Sequence, residues 1–265
     1  MRPVALVSGS SRGIGAATAR AFGERGYHVI VNYLQNEAAA LEVVSSITSA
    51  GGSAQAIQAD VRDEEHVGRL VDQIAGEHRR IDVLVCNANT ARPTFEPFED
   101  VTWGAFLAKL DNELAGVFHL TQRVLSVMRA HPQHRGRIVY VSSISGDSSA
   151  GLVAHATAKS SLNRFSRHVA AFAGQFGISV NTVAPGSVET DASATVNSAE
   201  IIAYLAERSV FGRQMVPNDV AQVIASVADP SFAAVTGQII TVDAGMDVLA
   251  QQLSFVGKRK PLTAD

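Results

Sequence analysis

Val4-Ala5-Leu6-Val7-Ser8-Gly9-Ser10-Ser11-Arg12-Gly13-Ile14-Gly15 is the stretch that decides the fold of this 265-residue chain. Four apolar residues suit a buried strand, and the glycine-rich run Ser8–Gly15 leads out of it into a helix. A bound phosphate needs backbone N–H donors and close approach of the main chain. Glycines permit the tight turn and remove the Cβ that would block a ligand, and a helix N-terminus adds a favourable dipole. Strand, glycine turn and helix in this order predict a nucleotide-phosphate cradle formed by Gly9, Ser11, Arg12, Gly13, Ile14 and Gly15. A turn made only for packing is the plainer alternative.

Further apolar runs recur along the chain at Val29–Val31, Ala54–Gln58, Val83–Cys86, Ile138–Val141, Val180–Ala184 and Ile239–Val242. The segments between them keep a helical period; Val67, Leu70, Val71 and Ile74, for instance, fall on one stripe. Alternating strands and helices predict an α/β fold, a parallel sheet covered on both faces. No linker or short repeat interrupts residues 1–250, which read as one domain. Residues 251–265 read as a polar, solvated tail carrying Lys258, Arg259 and Lys260. The least regular stretch is Gly186–Gln214, either a flap or a loop with one or two helices.

Composition narrows the function. Forty-six per cent hydrophobic and 18% charged residues are values of a folded globular protein. A net charge of -3 argues against a nucleic-acid or anionic-membrane surface. No apolar run reaches the roughly 20 residues that span a bilayer, and Met1–Val7 lacks a secretory layout. The single cysteine, Cys86, excludes an internal disulfide and a cysteine-based zinc site. His119, His131, His134 and His168 repeat no metal-binding spacing, so no metal is expected. The expectation is a soluble cytoplasmic protein.

The second strand ends at Val31-Asn32-Tyr33, where a cofactor with a free ribose 2′-hydroxyl usually meets an acid. None is present. Arg12 in the turn suits a 2′-phosphate instead, being permanently charged and forked. This favours NADP(H) over NAD(H), unless Arg12 is only a solvated turn residue. Asp60-Val61 after the third strand reads either as an adenine contact or, for Asp60, as a helix N-cap.

The glycine spacing, Asn87-Ala88 after the fourth strand, Lys159 on a helix, Pro185-Gly186 after the sixth strand, and the ending Thr236-Gly237-Gln238 … Val242-Asp243-Ala244-Gly245 together resemble the short-chain dehydrogenase/reductase family. The resemblance runs from Pro3 to about Met246 and is strongest to 3-oxoacyl-carrier-protein reductases and related ketoreductases. It implies a Rossmann-type, doubly wound, mostly parallel seven-stranded sheet. It also implies a mechanism in which a Tyr four residues before a Lys protonates the substrate carbonyl as hydride arrives. The Lys lowers the Tyr pKa and holds the nicotinamide ribose, a Ser hydrogen-bonds the carbonyl, and an Asn on the preceding helix supports a water behind the Lys. By the same resemblance Thr190 contacts the nicotinamide carboxamide and Val188 flanks the ring; a loop cap is the alternative for Thr190.

Position by position, Lys159 stands in place, but the residue four before it is His155. Ser143 matches the serine, with Ser142 as second choice. Glu113 stands where Asn is expected, beside Asn112, and Asn89 stands where Gly is expected. Residues at i and i+4 share a helix face, so His155 and Lys159 point into one site. Imidazole starts near ≈ 6.5 and a neighbouring ammonium lowers it, so His155 is neutral unless Glu113 offsets Lys159 and restores an imidazolium. His155 otherwise merely fills the space of the missing phenol, and Glu113 is otherwise a solvated carboxylate. Of Tyr27, Tyr33, Tyr140 and Tyr204, only Tyr204 is placed to act as a substitute acid.

These readings predict an NADP(H)-dependent oxidoreductase that reduces a keto group on a small-molecule or carrier-bound acyl or polyketide-like substrate, using Ser143, His155, Lys159 and Glu113. The alternatives are an inactive reductase-like subunit paired with an active relative, or a dehydratase, isomerase or cyclase using His155 as acid or base. The resemblance also implies a dimer or tetramer, homo- or hetero-, built on helices Trp103–His131 and His155–Phe176. Their faces Phe106, Leu110, Leu114, Val117 and Leu162, Phe165, Val169, Phe172 would meet across a two-fold axis.

Overall fold

Seven strands form one sheet in the computed structural model, which describes residues 2–89, 96–147, 152–190 and 198–251. They are β1 (Val4–Val7), β2 (His28–Tyr33), β3 (Ser53–Gln58), β4 (Val83–Cys86), β5 (Arg137–Val141), β6 (Ser179–Pro185) and β7 (Ile239–Val242). Each coincides with a run read from the sequence, extended by no more than two residues at either end. Their order is β3-β2-β1-β4-β5-β6-β7 and every pairing is parallel, so the sheet is wholly rather than mostly parallel.

Side chains of a strand alternate between its two faces, and here both faces are covered. Val4 and Leu6 of β1 enter one core, with Leu84, Cys86, Ile138 and Tyr140. Ala5 and Val7 enter the other, with Val83, Val85, Val139 and Val141. The first core is closed by α3 (Glu64–His78), α4 (Trp103–Ala130) and α5 (Val153–Ala173). The predicted stripe Val67, Leu70, Val71 and Ile74 is buried there. The second core is closed by α1 (Gly13–Glu24), α2 (Glu37–Ser49) and, later in the chain, Pro217–Val227. Ala199–Glu207 is α6, so the irregular stretch holds at least one helix; Pro217–Val227 is α7 and Met246–Gln251 is α8. Residues 252–265, most of the expected tail, lie outside the described residues. Among the described residues no helix is long and apolar enough to cross a membrane.

Two residues assigned to an exposed two-fold face belong to the core instead. Val117 and Leu162 are buried against the sheet, because each sits on the helix stripe that faces β4 and β5. The apolar side chains that α4 and α5 leave exposed include Leu107, Phe118 and Phe172.

Strand order reverses between β1 and β4, and this crevice at the carboxyl ends of the strands is where open α/β sheets bind ligands. Helix α4 reaches it through one close contact. A Cβ on Gly116 would lie 2.6 Å from Val61 Cγ2 and 3.3 Å from the Val61 carbonyl. Gly116→Ala should therefore push α4 off the loop after β3 and lower stability by about 1–3 kcal/mol. A shift of the urea midpoint to lower concentration, with the slope unchanged, is the expected result.

Candidate active site

The turn after β1 is held by side chains of the neighbouring strands. Ser8 Oγ accepts from the backbone N–H groups of Asn87 (3.0 Å) and Ala88 (3.1 Å). Asn87 Nδ2 donates to the carbonyls of Ser8 and Gly9, each at 3.0 Å. Gly9 and Gly13 have φ of +59° and +56°, which favour glycine. A Cβ on Gly9 would lie 2.8 Å from Ala88 Cα, and one on Gly15 would collide with the Gly9 carbonyl and with Asn87 Nδ2. The glycines let two loops and one helix end converge, a demand stronger than a packing turn makes.

At the start of α1, Arg12 holds the N-cap position with no side-chain cap, and the first turn carries no acid. Helices α2, α3, α4 and α6 are capped by Asn36, Asp63, Thr102 and Ser198. The α1 N-terminus thus leaves backbone donors without a side-chain cap, as does that of α5 after Leu152. The Arg12 side chain is exposed and makes no hydrogen bond or ion pair with the described residues. Ser11 and Ile14 lie in the same turn and first helical residues, partly buried. Across the cleft, the Thr190 methyl lies 3.6 Å from where a Gly13 Cβ would be. Val188 is buried and bridges to Met215, and the Gly186 N–H donates to the Val242 carbonyl at 2.9 Å, seating Pro185-Gly186 at the end of β6.

Two residues read from the sequence as cofactor contacts, Asn32 and Asp60, have partners within the protein. Asn32 is buried, its Oδ1 accepts from the Gly9 N–H at 3.2 Å, and its Nδ2 donates to the carbonyls of Ile57 and Ala59. Its side chain braces the glycine turn rather than reaching outward. Asp60 is not a helix N-cap; Asp63 caps α3, by accepting from the His66 N–H at 2.9 Å. The Asp60 carboxylate binds the Arg62 guanidinium (2.6 and 2.9 Å), which holds its pKa below the usual carboxylate range. Arg62 also reaches Asn112 Oδ1 on α4 at 2.7 Å.

The reacting half centres on Glu113. It is buried, not solvated, and it receives two ammonium groups: Lys159 through Oε1 and Lys109 through Oε2 at 2.7 Å. Lys159 also donates to the Val141 carbonyl at 3.0 Å, and Lys109 to Asn89 Oδ1 at 3.2 Å. Burial alone would raise the Glu113 pKa, but Lys159 and Lys109 together hold it below the usual range, so it is ionised. Asn89, which stands where Gly is expected, serves as an acceptor for Lys109.

His155 is not an imidazolium. Burial pushes its pKa down to about 4, and Lys159 and Lys109 add to this, with Glu113 opposing. Two cations around one carboxylate leave an excess positive charge beside the ring, so Glu113 cannot restore its proton. Lys109 is the residue that sequence reasoning missed. Its spacing of four from Glu113, together with Asn89, was the available signal. His155 Nδ1 is buried and has no hydrogen-bond partner among the described residues.

Ser143 caps the short 3-10 turn Ile144–Gly146, its Oγ accepting from the Ser145 N–H at 3.2 Å. Its hydroxyl hydrogen has no acceptor among the described residues, whereas Ser142 Oγ is buried. Gly146 lets this turn lie against α5, where a Cβ would be 3.1 Å from the backbone of Lys159. Tyr140 is buried with its hydroxyl 2.9 Å from Thr121 Oγ1, and Tyr204 is exposed beneath Arg208. Residues 91–95 and 191–197 of the loops expected to shape the pocket lie outside the described residues.

Comparison with known proteins agrees with this architecture. A family model described as enoyl-(acyl carrier protein) reductase matches residues 9–247. The chain is 38% identical over 248 residues to the 3-oxoacyl-[acyl-carrier-protein] reductase of Synechocystis sp., covering 92% of this chain and 96% of that one. It is 36% identical to the cis-4-hydroxycyclohexanecarboxylate dehydrogenase of Sinomonas cyclohexanicum, over 91% and 95% of the two chains. Among solved structures it superposes on a single-residue variant of actinorhodin polyketide ketoreductase with NADPH at TM-score 0.85 and 29% identity, over 92% and 97% of the chains. A 7α-hydroxysteroid dehydrogenase complexed with NADH and 7-oxo glycochenodeoxycholic acid gives TM-score 0.85 and 30% identity, over 92% and 93%. The chain belongs to the short-chain dehydrogenase/reductase family.

The folded His155 pKa lies below the unfolded value near ≈ 6.5, so the protein should lose stability as pH falls from about 6.5 toward 4. Imidazole NMR signals followed across this range should show His155 still neutral at pH 6, and His155→Phe should flatten the fall of melting temperature over the same interval.

Proposed function

We propose that this member of the short-chain dehydrogenase/reductase family is an NADP(H)-dependent reductase of a keto group on an acyl or polyketide-like substrate, with His155 at the place of the phenol acid. The observation that carries the reading is the glycine turn after β1, braced by Ser8, Asn32 and Asn87, with the loop after β4 tied through Asn89 and Lys109 to the Glu113–Lys159 pair. The relatives' names, a 3-oxoacyl reductase and a polyketide ketoreductase, support the substrate class.

The chain's residues fit the dinucleotide. Glycine at 9 and 15 lets the turn close onto Ala88 and Asn87 where a Cβ would clash, Gly13 takes a positive φ, and the α1 N-terminus has no side-chain cap. Gly9, Ser11, Gly13, Ile14 and Gly15 would hold the pyrophosphate, Asp60, Val61 and Ala88 the adenosine end, and Lys159, Val188 and Thr190 the nicotinamide end. Structural neighbours carry either NADPH or NADH, so the choice rests on this chain. Arg12 is exposed and unengaged, and the first carboxylate beyond β2 is Glu37, within the first turn of α2, where it acts on the Tyr33 hydroxyl. Both features support a 2′-phosphate.

When bound, the nicotinamide supplies the hydride to the carbonyl carbon or accepts it in reverse. Ser143 donates its hydroxyl hydrogen to the carbonyl oxygen. The excess positive charge of the Lys109–Glu113–Lys159 cluster stabilises the negative charge that develops there. His155 takes a proton from solvent and passes it to that oxygen, returning to the neutral imidazole. An imidazolium of pKa about 4 is a strong acid, but scarce at neutral pH. Reduction should therefore quicken as pH falls, about tenfold per unit between roughly pH 8 and 6, while alcohol oxidation finds the neutral base already available.

NADPH consumption with simple β-keto thioesters tests the reading. His155→Phe should lower turnover by about 100-fold or more and leave NADPH binding intact. Arg12→Ala should weaken NADPH about tenfold and NADH little. A protein that fails to bind NADPH saturably, or a His155→Phe variant that turns over like wild type, would refute the assignment.

A further inference from the structure

The chain carries 22 basic side chains but only four lysines, Lys109, Lys159, Lys258 and Lys260. Two of the four are buried in the same site on opposite oxygens of one carboxylate. Resting on the reading of this cleft as the active site, we infer that Lys109 is a positioning residue: it grips Glu113 from the side opposite Lys159, fixes the carboxylate as a bridge between α4 and α5, and sets the net charge that faces His155. Lys109 need not touch a substrate to act in this way. A lone Glu113–Lys159 pair would be neutral overall; the second ammonium makes the buried cluster cationic. The Lys109 ammonium is itself seated by Asn89 Oδ1 at 3.2 Å, on the loop after β4 whose backbone closes the glycine turn. One charge cluster thus joins the cofactor loop, α4 and α5.

The charged groups acting on the imidazole are Lys159 from its own helix and Lys109 and Glu113 from α4. Lys109 lowers the His155 pKa and Glu113 raises it, as the sign of each charge requires. A buried group of like charge nearby disfavours the protonated ring by on the order of one pH unit or more. Removing Lys109 alone leaves a matched pair, whereas removing Glu113 alone leaves two ammoniums confronting each other in a buried place.

The test is the His155 titration by imidazole NMR, on full-length protein without cofactor or substrate, so that its result is independent of whether the chain reduces ketones. Lys109→Met should raise the His155 midpoint by on the order of one pH unit. Lys109→Arg, which keeps the charge, should titrate like wild type. The double variant Lys109→Met/Glu113→Gln removes one charge of each sign and should return the midpoint toward wild type, an outcome that a purely space-filling lysine would not produce. Should Lys109→Met fail to fold, the arginine and double variants still decide, since both must titrate near wild type. An unchanged midpoint in folded Lys109→Met, or a double variant with its midpoint raised as far as that of the single, would overturn the assignment.

Discussion

The Gly9 carbonyl, the Asn87 amide and the backbone of Ala88 meet at a spacing that leaves no room for one additional carbon atom. That closeness at the switch point between β1 and β4 sets everything around it. It requires glycine at 9 and 15, it requires Ser8 and Asn87 to satisfy the crowded backbone groups, and it draws in Asn32 from β2 as a third brace. Each of these residues is polar and most are buried, yet each has its partners. A buried polar knot of this kind is tolerable only when complete.

In the other half of the cleft, the residues that differ from the pattern expected of the resemblance form a single physical unit. Asn89, Glu113 and His155 read as separate oddities along the chain. In three dimensions Lys109 connects the first two, Lys159 joins the second to the helix of the third, and the cluster's charge adds to burial in keeping the ring's pKa low. The phenol's absence is therefore accompanied by a different electrostatic arrangement, one in which a weakly basic imidazole faces a cationic cluster.

The strands were legible because buried parallel strands are short apolar runs with no competing interpretation, and the α3 stripe because its period is regular. The phosphate turn was legible because glycine at fixed offsets after a strand has a mechanical reason. What the sequence hid was direction. Asn32 lies beside the cradle but turns inward to Gly9, and Asp60 turns to Arg62, since neither choice leaves a trace in local composition. Val117 and Leu162 were assigned to a surface because apolar faces of long helices look alike until the sheet is in place. Lys109 was overlooked because a lysine in an amphipathic helix ordinarily means solvent.

The ion cluster also couples substitutions within the site. A carboxylate at 113 with no second lysine leaves an overall neutral pair, which a protein interior tolerates, whereas a lysine at 109 with no carboxylate leaves two like charges in a dry place. Substitutions at 109 and 113 are therefore not independent, and His155→Tyr made alone would place a phenol beside the cluster of Lys109, Glu113 and Lys159. Stability effects of substitutions at 109, 113 and 159 should accordingly be non-additive.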